Sequence, residues 1–316
     1  MTRYLLLCLL LTDLAGASVQ GAEPWPGKPA YLVKVGLAGD DPVPPAATAD
    51  LTKACEGVSF LRSLKYGESE QNVLDVATSA ADTAPPSPRP VLLFVAGESF
   101  AADNPAPDAQ DPMRDAAMCF AARNGLVGVS VSYRLAPANP WPTGARDVAA
   151  AASWVHENAD LFGGSRDEIV AVGYAVGAFH VASLLAHPEF QDTDSELAAA
   201  VLVSGIYHAG ADATAAEKSY FGADANQYDQ RSAFPGILNI ETPLLLAWSA
   251  QDPPRLVTAG EELKHRLCNS ATHCPHTTVL RTRESLADIF GVDTSGGGLA
   301  EPTLELVREI ETRGLP

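Results

Sequence analysis

The sequence predicts an α/β fold: a mostly parallel central sheet with helices on both faces. Two observations carry this. From residue 91 onward, short apolar runs alternate with stretches of helical apolar spacing. The runs are apolar on nearly every residue rather than on alternate ones. A strand without a polar face is buried on both sides, which is the condition of a parallel strand covered by helices above and below. A chain of 316 residues, 47% hydrophobic and 19% charged, has the length and composition to build one such domain without staples.

The elements follow in order. Residues 23–58 are rich in Pro and Ala and show no period, and Pro42, Pro44 and Pro45 break any helix there, so the segment reads as an irregular lead-in. Residues 64–67 and 73–76 read as a two-strand meander, and the proline-rich stretch 84–90 as a linker. The alternation then begins. Strands are expected at 91–95, 126–133, 168–173, 198–204, 243–248 and 277–280. Helices are expected at 112–124, 145–158, 178–186, 259–267 and 299–312, with Val148, Ala152 and Val155 on one face of the second and Leu304, Val307 and Ile310 on one face of the last. Residues 205–240 interrupt the pattern and read as a cap or a long active-site loop. A single domain therefore spans 59–316.

The start of the chain reads differently. A short basic opening, a continuous apolar run from Leu5 to Leu11 and the small residues Ala15-Gly16-Ala17 make the pattern of a secretory signal peptide, ending at residue 17 or as late as 22. The run is too short to span a bilayer, which needs about 20 residues. The expectation is an exported protein, periplasmic or secreted. Beyond that segment lie four cysteines, Cys55, Cys119, Cys268 and Cys274. In an oxidising compartment Cys268 and Cys274 read as a disulfide clipping a polar loop, a reading favoured over a metal site built with His273 and His276. The pairing of Cys55 and Cys119 stays open. A formal net charge of −18 repels phosphate backbones and anionic lipid headgroups, and so argues against nucleic-acid and membrane-surface partners.

The chemistry is expected at Gly173-Tyr174-Ala175-Val176-Gly177, where a strand ends and a helix begins. This is the frame of a nucleophile elbow, which normally reads Gly-x-Ser-x-Gly. Side chains two residues before and two after the nucleophile would clash in so tight a turn, and both glycines are present. The middle residue is Ala175, whose methyl cannot attack a carbonyl.

Neighbouring motifs strengthen the reading: Tyr133-Arg134-Leu135-Ala136-Pro137, then Trp141-Pro142 leading into the helix with Asp147, then Trp154, Phe162-Gly163-Gly164 and Ile169. With them, the run from Leu64 to Val307 resembles the carboxylesterase/lipase branch of the α/β-hydrolase family, nearest to exported bacterial feruloyl-esterase-like members. The resemblance implies an α/β-hydrolase fold with its site at the carboxyl ends of the strands. It places the triad at Ala175, Asp252 and Ser285, so the serine and histidine positions hold alanine and serine. The family's oxyanion motif falls on Ala96-Gly97-Glu98-Ser99-Phe100, with backbone N–H groups at Glu98 or Ser99 and at Val176 able to point into a hole. Glu98 reads either as a surface acid or as a carboxylate opposing an oxyanion. No histidine follows His276, and about 23 Å of extended chain separates it from the histidine position. His180 reads as a packed or capping residue.

Loss of either serine or histidine from a triad costs on the order of a millionfold in turnover. The leading expectation is thus a pseudo-hydrolase, a binding or regulatory protein with a small ester or carboxylate ligand in a concavity above the elbow. The alternatives are an enzyme using a non-standard constellation of Ser99, Ser285, Asp252 and Glu98, or a structural partner of another exported protein. The sequence implies no cofactor and no metal, and names no protein partner.

Overall fold

The computed structural model describes residues 55–80, 87–97, 99–101, 112–191, 197–270, 274–280 and 298–313. The expected signal segment, nearly all of the lead-in, Glu98 and Ser285 lie outside the described residues. The architecture is an eight-stranded sheet in the order β1-β2-β4-β3-β5-β6-β7-β8. Its strands are β1 (Val58–Lys65), β2 (Val73–Ser79), β3 (Arg89–Val95), β4 (Val127–Val131), β5 (Gly164–Tyr174), β6 (Ala199–Val203), β7 (Leu244–Ser249) and β8 (His276–Leu280). Among the described residues six α-helices accompany them: α1 (Pro112–Arg123), α2 (Thr143–Asn158), α3 (Val176–Ala186), α4 (Ala215–Phe221), α5 (Pro254–Ser270) and α6 (Ala300–Arg313).

The pleat sorts each central strand between two cores. In β3, Val91, Leu93 and Val95 face one side with Val148, Ala152 and Val155 of α2 and Val181 and Leu184 of α3. Leu92 and Phe94 face the other, with Ala117 and Phe120 of α1 and Leu306, Val307 and Ile310 of α6. All five of these β3 residues are fully buried, which is why the sequence there shows no polar face. The antiparallel pairs among the described strands are β1 with β2 and β2 with β4. β3 pairs in parallel with both β4 and β5. The chain therefore leaves β3 toward β4 on one side and returns to β5 on the other, and right-handed crossovers put α1 and α2 on opposite faces. The carboxyl ends of β3 and β5 flank this switch in strand order, the place where such sheets hold their sites.

Three elements begin four or more residues before the expected bounds, each for a local reason. β1 begins at Val58 because an edge strand alternates half-buried and exposed residues, giving little apolar contrast. β5 begins at Gly164, where Arg89 pairs with Gly164 and Val91 already pairs with Ile169. The intervening residues form a bulge of polar, partly exposed chain. α5 begins at Pro254, a residue suited to the first helical turn because it has no N–H to leave unsatisfied. The interruption at 205–240 contains α4 and several single turns of 3-10 helix. Two disulfides close loops: Cys55–Cys119 ties the approach to β1 onto α1, and Cys268–Cys274 joins the end of α5 to the approach to β8.

Candidate functional site

The elbow is built as its glycines require. Ala175 stands between β5 and α3 at φ 51° and ψ −113°, a conformation that L-residues avoid. Its N–H donates to the Val203 carbonyl at 2.9 Å, pinning the turn to β6. A Cβ at Gly173 would sit 2.5 Å from the Ala178 Cα, and one at Gly177 would sit 1.8 Å from the Val95 carbonyl oxygen. Strain of this kind costs on the order of 1–3 kcal/mol and is normally kept where a side chain must be presented to a substrate. Here it presents a methyl group. Ala175→Gly is accordingly expected to stabilise the protein by about 1 kcal/mol, the relief of strain outweighing the greater freedom of glycine in the unfolded chain. Denaturant midpoints check this, and a destabilised variant would mean that the turn is relaxed.

The oxyanion region is arranged differently from what the resemblance implies. The Val176 N–H, expected to point into a hole, donates instead to the Gly97 carbonyl at 3.2 Å. Gly97 lies so near the elbow that a Cβ on it would be 2.8 Å from the Gly177 nitrogen and 2.9 Å from the Val176 Cβ. The donor that would meet a developing oxyanion is thus engaged within the protein. Ser99 serves its own turn, its Oγ accepting from the Ala101 N–H at 3.3 Å.

Asp252 follows β7 and faces the end of β6. Its Oδ2 accepts from the Ser204 hydroxyl at 2.6 Å and from the Ser249 N–H at 2.9 Å. Ser204 is buried and holds a positive φ of 49°, with its N–H donating to the Ala247 carbonyl at 2.8 Å. Because Tyr174 pairs with Val203, Ser204 stands one step along the β5–β6 ladder beside Ala175. Sequence reasoning did not single it out. The signal was present as a Ser-Gly step closing an apolar run, but its partner lies 48 residues away in sequence.

The segment preceding α2 is anchored by charge. Arg134 grips the buried carboxylate of Asp147 through its backbone N–H at 2.9 Å, its Nε at 2.9 Å and its Nη2 at 2.6 Å. A second clamp joins α5 to α4, where Arg255 holds both oxygens of the buried Glu217 at 2.8 and 2.9 Å. Against the elbow packs an apolar cluster of Phe100, Val176, Phe179, Ile206, Tyr220 and Phe221 with their neighbours. Two cavities, of about 610 and 210 Å³, lie at the other end of the sheet, lined among others by Leu197, Ala198 and Pro243 and by Pro243, Leu244 and His276. His276 opens β8 opposite Leu245 and approaches Glu309 at 3.5 Å, at the amino end of its strand and far from Ala175. His180 is packed rather than exposed, as its place on α3 suggested. Among the described residues no His, Cys, Asp and Glu gather in threes to hold a metal, and no helix is long and apolar enough to cross a membrane.

Comparison with known proteins agrees with this architecture. A family model described as the alpha/beta hydrolase fold matches residues 92–264, more than half of the chain. Esterase LipC of Mycobacterium tuberculosis is 31% identical over 155 residues, covering 46% of this chain and 36% of that protein. The para-nitrobenzyl esterase of Bacillus subtilis is 30% identical over 194 residues, covering 55% of this chain and 38% of that protein. The chain thus spans little more than a third of the length of these curated relatives. Among solved structures, esterase B from Lactobacillus rhamnosis superposes with a TM-score of 0.64 at 15% identity, covering 84% of this chain and 91% of that one, a likeness of fold alone.

Proposed function

We propose that this chain, which belongs to the α/β-hydrolase family, is a member without serine-dependent hydrolysis: a binding or regulatory protein on an esterase-like scaffold. The observation that carries the reading is Ala175, which occupies the strained turn where the family presents its nucleophile. The engaged Val176 N–H and the hydroxyl of Ser204 on Asp252 support it. An oxyanion donor is useful only when free to meet substrate, and a triad acid acts by orienting a histidine; here the Val176 N–H is engaged and Asp252 holds the Ser204 hydroxyl. The esterase relatives support small esters, or the carboxylates derived from them, as the ligand class. The apolar pattern of residues 1–17 supports a role for this protein outside the cytoplasm.

Purified protein incubated with a fluorescent organophosphonate is expected to remain unlabelled, and to hydrolyse p-nitrophenyl esters no faster than a surface-lysine background. Covalent labelling at any serine would overturn the reading. One observation favours a second reading, an enzyme with a different constellation: the Ser204 hydroxyl sits 2.6 Å from a carboxylate, the contact that a base makes with its nucleophile. Turnover present in the wild-type protein and lost in Asp252→Asn, with label mapping to Ser204, would establish it.

A further inference from the structure

His180 is the one histidine among the described residues with no surface to titrate from. It lies on α3, one turn beyond the elbow, and is 1% exposed. Four aromatic rings enclose it edge-on: Tyr133 at 4.6 Å between centroids, Tyr220 at 5.4 Å, Phe179 at 5.8 Å and Phe100 at 5.9 Å. The remaining side is closed by Gly144, where a Cβ would fall 2.5 Å from the His180 Cε1. Its Nδ1 has no hydrogen-bond partner among the described residues. The cage therefore joins the chain after β3, the chain after β4, α2, α3 and α4 around one imidazole.

We propose that His180 is a proton sensor that releases residues 206–228 from the elbow when the protein is acidified. The covering contacts belong to that segment: Ile206, Ala209, Ala213, Tyr220, Phe221 and Tyr228 pack with Phe100, Val176 and Phe179. Tyr220 stacks on Phe100 at 5.0 Å. An imidazolium in the cage would need an acceptor for each N–H and a counter-charge. Among the described residues the charged and titratable groups on the packed elements are Tyr133 and Arg134 after β4, Arg146, Asp147, His156 and Glu157 on α2, and Glu217, Lys218 and Tyr220 on α4; α3 carries no other, and His156 and Glu157 lie about 18 Å along α2 from Gly144. Asp147 is committed to Arg134 and Glu217 to Arg255. Arg146 lies over the Phe190 ring, and Lys218 is exposed. Burial agrees with this geometry, pushing His180 down from 6.5 to about 3. The sign follows: the closed form binds no proton between pH 6.5 and 3, whereas an opened form does. Closure is complete above pH 6.5 and weakens as pH falls through that window. The device rests on packing alone and stands whether or not the elbow is catalytically silent.

Hydrogen exchange of the full chain between pH 7.5 and 4.5 tests it, with rates corrected for intrinsic exchange. The opening constant of amides in α4 is expected to rise about tenfold per pH unit below 6.5, the signature of one proton taken up on opening. Amides of β6 should stay at the global level. In His180→Phe the slope should vanish. A flat profile in the wild-type protein, amides of α4 opening no more readily than those of β6, or a slope retained in the variant would each overturn the proposal. Should the variant fail to fold, ring titration of the ¹⁵N-histidine-labelled wild-type protein decides. His180 remaining neutral at pH 5 in the folded protein supports the device, and an ordinary imidazole titration overturns it.

Discussion

Gly177→Ala is expected to lose about 3 kcal/mol of stability or more, against a total of roughly 5–15 kcal/mol for a typical domain. Helix propensity pulls the other way. Alanine is the better helix former by about 1 kcal/mol, and Gly177 lies in the first turn of α3. The clash decides the sign. A Cβ there would meet the Val95 carbonyl oxygen at 1.8 Å and its carbon at 2.6 Å. Val95 closes β3, which is laddered on both sides by β4 and β5, so neither backbone can yield without breaking the middle of the sheet. Urea unfolding of the variant beside the wild-type protein measures the loss. A variant at or above wild-type stability would show that β3 and the elbow are not in contact.

Asp147→Asn is expected to cost about 3 kcal/mol, because removing one partner of a buried pair leaves the other uncompensated. The Asp147 side chain is only 5% exposed, while that of Arg134 is 33% exposed, which keeps the figure below the top of the range for fully buried pairs. The carboxylate also holds the Arg134 backbone N–H, so the damage reaches the chain that carries Tyr133 into the His180 cage. A double-mutant cycle with Arg134→Gln should show strong coupling, the two changes together costing clearly less than their sum. Additive losses would mean that each residue acts through other contacts.

Much of the fold was legible because it rests on local patterns. The apolar runs of β3, β6 and β7 and the helical spacing of α2 and α6 carry their own burial in the order of their residues. The elbow frame was legible for the same reason, since Gly173 and Gly177 answer a steric demand within five residues. What escaped depends on partners distant in sequence. Ser204 matters because β6 ends beside both Ala175 and Asp252, and no short window contains all three. The Val176 N–H looked available until the Gly97 carbonyl, 79 residues earlier, closed on it at 3.2 Å. The pairing of Cys55 with Cys119 was likewise a question of which helix lies over which strand. The edge strand β1 was placed late because its alternation is shallow.

The position of β4 has a consequence for the order of assembly. In the oxidised chain, Cys55 and Cys119 close a covalent ring that contains β1, β2, β3 and the first part of α1. Within that ring β1 can ladder onto β2, but β2 and β3 share no ladder in the finished sheet. Their common neighbour is β4, which follows Cys119 and so lies outside the ring. β4 is therefore a keystone supplied from elsewhere in the chain. Until it is seated, the hairpin at one margin and the strand at the centre remain separate pieces held together only by their covalent loop.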